Sequence, residues 1–218
     1  MRKILNKELK LSASPLSFWF IAFALMTMLP GYPILMGAFF ISFGIFQSFV
    51  ACREANDMLY SSLLPVKKTD FVKGKYVFAC FIELCGFLVM TLLTLVRMLF
   101  LSEAAVYRSN ALMTANFVFL GFALLIFGIF NAVFIRGFFK TAYYFTKPLI
   151  GFIVCTMLVI GLAETLHHLP GAEALNSFGF ENAGLQCAFF GTGFVCFVLL
   201  TLYGYKKSAL SFEKTDIG

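Results

Sequence analysis

The chain has 218 residues, of which 61% are hydrophobic, 18% aromatic and only 13% charged. Soluble domains carry roughly 45–50% apolar and about 25% charged residues, so a water-soluble globule is excluded, and the apolar content also excludes disorder. The length holds about six membrane helices of roughly 20 residues with short loops, and any energy source is expected on another chain.

Residues 1–15 are basic and amphipathic. Ile4, Leu5, Leu9 and Leu11 alternate with Lys3, Lys7 and Lys10, a pattern that predicts a short interfacial helix with its lysines near anionic headgroups. Pro15 is expected to end it. The basic start resembles a signal peptide, but no A-x-A site follows and the segment reads as retained. Six spans are then expected, at 16–29, 34–51, 76–96, 113–135, 148–166 and 183–203, in a single transmembrane domain covering 1–218. The turn Pro30-Gly31-Tyr32-Pro33 reverses the chain between the first two. Runs of this length cross as helices, whereas barrel strands need about ten alternating residues, so the expected class is all-α.

Lys and Arg set the orientation. Segments 1–15, 52–75, 136–147 and 204–218 hold 15 of the 17 basic residues, and Arg97 and Arg108 are the other two. Both termini are therefore expected in the cytoplasm of a multi-pass plasma-membrane protein. The net charge of +6 reads as this topology signal and not as a nucleic-acid patch.

Ionisable groups at membrane depth mark ion pathways, and Glu83 in the third span is the one clear case. A structural or interfacial role is expected for it, with proton coupling as the alternative. Gln47 and Asn131 are expected to hydrogen-bond between helices. No charged ring or carbonyl filter suggests an ion channel. The six cysteines form no C-x-x-C pair and read as small apolar side chains. Glu164, His167 and His168 are expected to be solvated at an outer helix end, with no metal site. Gly121 and Gly128 on the fourth span, and Gly184, Ala188 and Thr192 on the sixth, read as close-approach faces. No catalytic residue is expected, and no G-x-x-x-x-G-K-[ST] occurs.

The segment Arg53–Tyr76, REANDMLYSSLLPVKKTDFVKGKY, is longer than a connector needs. Glu54–Leu64 is compatible with a short helix, Glu54 and Asp57 suiting the positive end of its dipole and Pro65 stopping it. Thr69 and Asp70 can cap the next helix, which enters the membrane with Lys73 and Lys75 as inner anchors.

The run Leu64-Pro65-Val66-Lys67-Lys68-Thr69-Asp70-Phe71-Val72-Lys73-Gly74-Lys75-Tyr76 resembles the loop after the second span in type-2 ABC exporter permeases, the ABC-2 family. The six-span layout and the surface N-terminal helix resemble it too. The resemblance implies that Glu54–Leu64 is the coupling helix that docks into an ATPase. Glu54, Asn56, Asp57, Tyr60, Leu63, Leu64 and Pro65 are then the ATPase-coupling residues. It further implies a working unit of two permeases, expected here as a homodimer with a heterodimer as the alternative, and two cytoplasmic ABC ATPases. ATP and Mg are bound by the ATPases, and this chain carries no cofactor. Short re-entrant helices over 167–182 would also fit.

Within the family, the compact length and Phe-rich spans look most like exporters of amphipathic cytolytic peptides of the phenol-soluble-modulin type. The expected function is therefore the non-enzymatic membrane subunit of an ATP-driven exporter of amphipathic or hydrophobic peptides. A drug or lipid exporter of the same architecture, or a membrane protein that sequesters a peptide for immunity, are the alternatives.

Overall fold

A computed structural model of the chain describes residue 8 and residues 13–57, 67–141 and 144–214. The described elements are all helical: α1 (Pro15–Met28), α2 (Met36–Glu54), α3 (Lys68–Phe100), α4 (Ala105–Arg108), α5 (Phe117–Lys140), α6 (Thr146–Leu166) and α7 (Ala183–Glu213). Among the described residues, α2, α3, α5, α6 and α7 are long and apolar enough to cross a membrane, and α1 is apolar but shorter. Helices α3 and α7 run beyond the expected apolar spans because regular backbone bonding continues past the point where composition turns polar. The connection 167–182 contains a 3-10 turn, Glu173–Asn176.

Helix α1 starts where the sequence suggested a stop. The Ser14 side chain accepts from the Leu16 N–H, and Pro15 takes the first helical position, where a missing N–H is no loss. The helix then tightens into nine residues of 3-10 winding, Phe20–Met28, a long run for that form. Helix α2 makes room for it with glycine. A Cβ on Gly37 would stand 2.9 Å from the Phe23 carbonyl oxygen, and one on Gly44 would run into the Phe20 side chain. The same seam is hydrogen-bonded. Ser17 Oγ donates to the Gly44 carbonyl at 2.6 Å and pairs with Ser48 Oγ at 2.7 Å, and Ser48 Oγ accepts from the Ser14 N–H at 2.8 Å.

The core is built from phenylalanine around α5. Of the twelve largest fully buried side chains, nine are Phe, so the aromatic excess fills the interior as well as meeting lipid. Phe49 of α2 packs edge-on against Phe134 and Phe138 of α5, with ring centroids 5.4 and 5.0 Å apart, geometries that favour the ring quadrupoles.

Glycine brings α5 and α7 together, as expected for Gly121 and Gly128. A Cβ on Gly121 would lie 2.8 Å from the Phe189 carbonyl oxygen, and one on Gly128 would lie 3.1 Å from the Phe197 Cα. On α7 the expectation is overturned. Gly184, Ala188 and Thr192 are exposed, and the buried face is Gln186, Gly193, Phe197, Gly204 and Ser208. That face repeats at seven and four residues, the spacing of a packed helical seam. Small-residue spacing found a stripe but not the one turned inward.

The bundle has a basic end, where the start of α3 and the ends of α2, α5 and α7 meet, and a far end. Three expected loop groups at the far end are structural. Arg97 is buried. It donates to the Thr27 carbonyl at 2.7 Å, with its guanidinium 4.0 Å from the Tyr107 ring centroid. Tyr107 Oη in turn donates to the Met28 carbonyl at 3.0 Å. These carbonyls lie at the C-terminus of α1, where groups lack intrahelical partners and the dipole favours a cation. Glu164 accepts from the Met113 N–H at 2.7 Å and a His167 ring nitrogen lies 3.1 Å from the Ala111 carbonyl oxygen, so both hold the approach to α5 and are not merely solvated. Asn116 caps α5, accepting from the Phe119 N–H at 3.1 Å.

Candidate functional site

The segment implied to couple to an ATPase begins at the basic end. Glu54 is the last residue of α2, at the negative pole of that helix and not at the positive pole of a new one. Asn56 takes a left-handed conformation, φ 50°, which asparagine tolerates better than most residues and which breaks the helix. Asp57 follows and turns inward. Tyr60, Leu63, Leu64 and Pro65 lie outside the described residues.

Asp57 meets Lys75. The Lys75 ammonium lies 3.1 Å from Asp57 Oδ2 and 2.8 Å from Glu8 Oε2, and its side chain is 3% exposed. Cys52 Sγ donates to Asp57 Oδ2 at 3.5 Å. Lys75 is thus not a headgroup anchor. It joins Glu8, the end of α2 and the start of α3 in one buried charge cluster. Breaking a buried ion pair by removing one partner costs about 3–5 kcal/mol, so the cluster resists separation of α2 from α3. The sequence signal was present only as a lysine two residues from another; nothing in the spacing named Glu8 as its partner.

A second polar cluster lies deeper. Helix α5 passes through a π-helical stretch, Phe130–Ile135, which widens the helix and disturbs the regular bonding of its carbonyls. There Asn131 Nδ2 donates to Glu83 Oε2 of α3 and to Thr201 Oγ1 of α7, each at 3.0 Å. Tyr76 Oη donates to the Asn131 carbonyl at 2.9 Å and pairs with Ser208 Oγ at 3.0 Å. Glu83 and Asn131 are both buried, and they meet each other as polar groups between α3 and α5. Gln47 is half-buried on α2 and does not join them. Thr201, Tyr76 and Ser208 were not picked out from the sequence as hydrogen-bonding groups. Their signal is that each is a hydroxyl at a small-residue seam, Ser208 and Thr201 flanking Gly204.

Two of the buried polar clusters, one around Lys75 and one around Asn131, join α3 to its neighbours. No group of three or more His, Cys, Asp or Glu suited to a metal occurs among the described residues. This defines a multi-pass helical membrane protein whose polar groups fasten helices to one another. The description "ABC-2 family transporter protein" matches residues 3–212, and the chain belongs to that family of transporter membrane components, which work with a separate ABC ATPase subunit. Comparison with curated proteins and with solved structures returned no match.

Proposed function

We propose that this chain is the permease of an ATP-driven exporter that moves amphipathic or hydrophobic peptides out of the cytoplasm. The observation that carries the permease part of this reading is the family match over nearly the whole chain, which also favours transport over peptide sequestration. In this reading α1 is the first of six spans. Its five α-helical and nine 3-10 residues reach about 26 Å, against about 21 Å if wholly α-helical, close to the roughly 30 Å of a bilayer core. Both termini and the basic end face the cytoplasm, in keeping with the positive-inside rule.

Two copies pair, and two ATPases dock on segments 54–65. ATP-driven closure of the ATPases pulls on the end of α2. Asp57, Lys75 and Glu8 pass that pull to α3 and to the N-terminal segment, because a buried ion cluster resists separation. Binding energy in the partners thus biases a two-state membrane element. The outward surfaces of α3, α6 and α7, where Leu88, Leu158 and Leu199 are about 60% exposed, are apolar enough for an apolar or amphipathic cargo to travel along. An amphipathic helix satisfies its own backbone and avoids the several kcal/mol that each unpaired polar group would cost there.

The test is ATP turnover of the chain reconstituted with its ATPase. Amphipathic helical peptides should stimulate it. A scrambled peptide of equal composition, whose apolar residues no longer gather on one helix face, should do so less. Stimulation by lipophilic cations with indifference to the helical peptide would transfer the cargo to the drug-export reading.

A further inference from the structure

Lys73 and Lys75 stand two residues apart at the start of α3, and their surroundings are opposite. Lys75 is enclosed by two carboxylates. Lys73 is half-exposed and makes no ion pair among the described residues. It lies at one end of a groove of about 480 Å³ between α3 and α7. Leu84 closes the other end of the α3 wall, and Thr201, Leu202 and Tyr205 form the α7 wall. Eleven residues of helix separate Lys73 from Leu84, about 16 Å along the axis.

Length and polarity point to the occupant. A groove about 16 Å long that is apolar except at its Lys73 end suits an acyl chain. Its polarity runs the same way. One end carries a cation, the Tyr76 and Tyr205 rings meet at 5.8 Å beside it, and the remainder is apolar. Tyr76 commits its hydroxyl inward to Asn131 and Ser208, so it offers the groove only its ring. A zwitterionic headgroup would bring its own cation beside Lys73; an anionic headgroup supplies the charge that Lys73 lacks.

We infer that the α3–α7 groove is a site for an anionic phospholipid, with its phosphate on Lys73 and an acyl chain laid toward Leu84. The bound chain lies against Thr201 and Tyr76, the two groups that hold Asn131 from α7 and α3. The inference does not depend on the cargo or on which side of the membrane the basic end faces, so its failure leaves the export reading untouched.

The test is native mass spectrometry of the full-length chain, incubated with equal amounts of phosphatidylglycerol and phosphatidylcholine of identical acyl chains. The wild-type chain should retain one phosphatidylglycerol at least fivefold over phosphatidylcholine. Lys73→Gln should remove about fivefold of that preference, the contribution of one lysine at a membrane surface, and Lys73→Arg should keep it. Lys140→Gln, an equal charge change at the same end of the bundle, should leave it unaltered. Leu202→Trp, at a half-exposed wall position, should fill the groove and remove the retained lipid. Equal loss in Lys73→Gln and Lys140→Gln would overturn the site, as would undiminished retention in Leu202→Trp. Cross-linking of Leu84→Cys to a second copy of the chain instead of to lipid would also overturn it.

Discussion

Tyr76 of α3 donates its phenolic hydrogen to the backbone carbonyl of Asn131, 2.9 Å away in the π-helical stretch of α5. The contact is made under Gly204 of α7, where a Cβ would stand 2.6 Å from that carbonyl oxygen and 2.8 Å from the Tyr76 hydroxyl. Three helices thus meet at one hydrogen bond that only glycine leaves room for. The bond reconciles a widened helix with an apolar surrounding that offers no water to its polar groups.

Gly204→Ala should therefore damage the junction by overpacking. A cost of about 1–3 kcal/mol is expected, read as a lowered thermal midpoint in detergent. Tyr76→Phe should cost about 1 kcal/mol, the net value of an intramolecular hydrogen bond. Because the alanine methyl displaces the same hydroxyl, the double variant should cost less than the sum of the two. Strict additivity would show that Gly204 and Tyr76 act independently.

Lys75 offers a sharper case. Lys75→Met takes away the cation that Glu8 and Asp57 share at 2.8 and 3.1 Å, and leaves two carboxylates close together in a buried place. We expect a loss of about 3–5 kcal/mol and poor recovery of the protein from membranes. Adding Glu8→Gln and Asp57→Asn should restore most of the yield, since removing all the charges also removes the desolvation cost. Failure of the triple variant to recover would show that the lysine stem, and not its charge, is what the site needs.

These two places also show what the residues alone could disclose. Apolar runs separated by charge gave the helices, because lipid leaves a chain few alternatives to a helix. Gly121 and Gly128 were legible because a span tolerates glycine best where another backbone approaches. Glu83 and Asn131 were legible because a polar side chain at that depth must find a partner. The rest depended on rotation about helix axes, which spacing does not give. Gly184, Ala188 and Thr192 make as regular a series as the true seam at Gly193 and Gly204, yet face outward. Arg97, Glu164 and His167 sit where composition turns polar, and composition cannot separate a solvated side chain from one that satisfies the backbone of a neighbouring helix end. Lys75 read as an anchor because its partner Glu8 is remote in sequence.

Coupling to the ATPase makes a separate prediction. Leu63→Asp places a charge on the apolar part of the segment proposed to dock, and should abolish co-purification of the ATPase while the chain still inserts. Asp57 should not be changed in the same variant, because it is occupied by Lys75 inside the protein. A stoichiometric ATPase retained by Leu63→Asp would move the docking surface elsewhere.

The proposed orientation is checked by cysteine labelling in intact cells. Ser109→Cys and Glu173→Cys lie at the far end in exposed positions, and Lys207→Cys lies at the basic end. A membrane-impermeant maleimide should reach the first two and miss the third, with the parent chain as the baseline for the native cysteines. Ser208 is unsuitable as a reporter because it is buried against Tyr76. Labelling of Lys207→Cys from outside would reverse the topology.

The last prediction concerns Glu83, where two roles lead to different outcomes. Its Oε2 accepts from Asn131 Nδ2 at 3.0 Å in a fully enclosed position. If the side chain serves to hold Asn131, then Glu83→Gln keeps the length and the accepting oxygen. ATP-driven turnover should then stay within about twofold of wild type, and the thermal midpoint should change little. Glu83→Leu removes the acceptor and obliges the Asn131 amide to rely on Thr201 alone, a loss of about 1–3 kcal/mol. Thr201→Val on top of it should cost more than it does in the wild-type background, because the remaining partner of the amide is then gone. A proton-coupled role orders the results differently. Glu83→Gln would abolish turnover at an unchanged thermal midpoint, since an amide cannot exchange a proton with the cycle. We expect the first pattern, because the carboxyl group already has a partner across the helix seam and the energy for transport in this family enters through the ATPase.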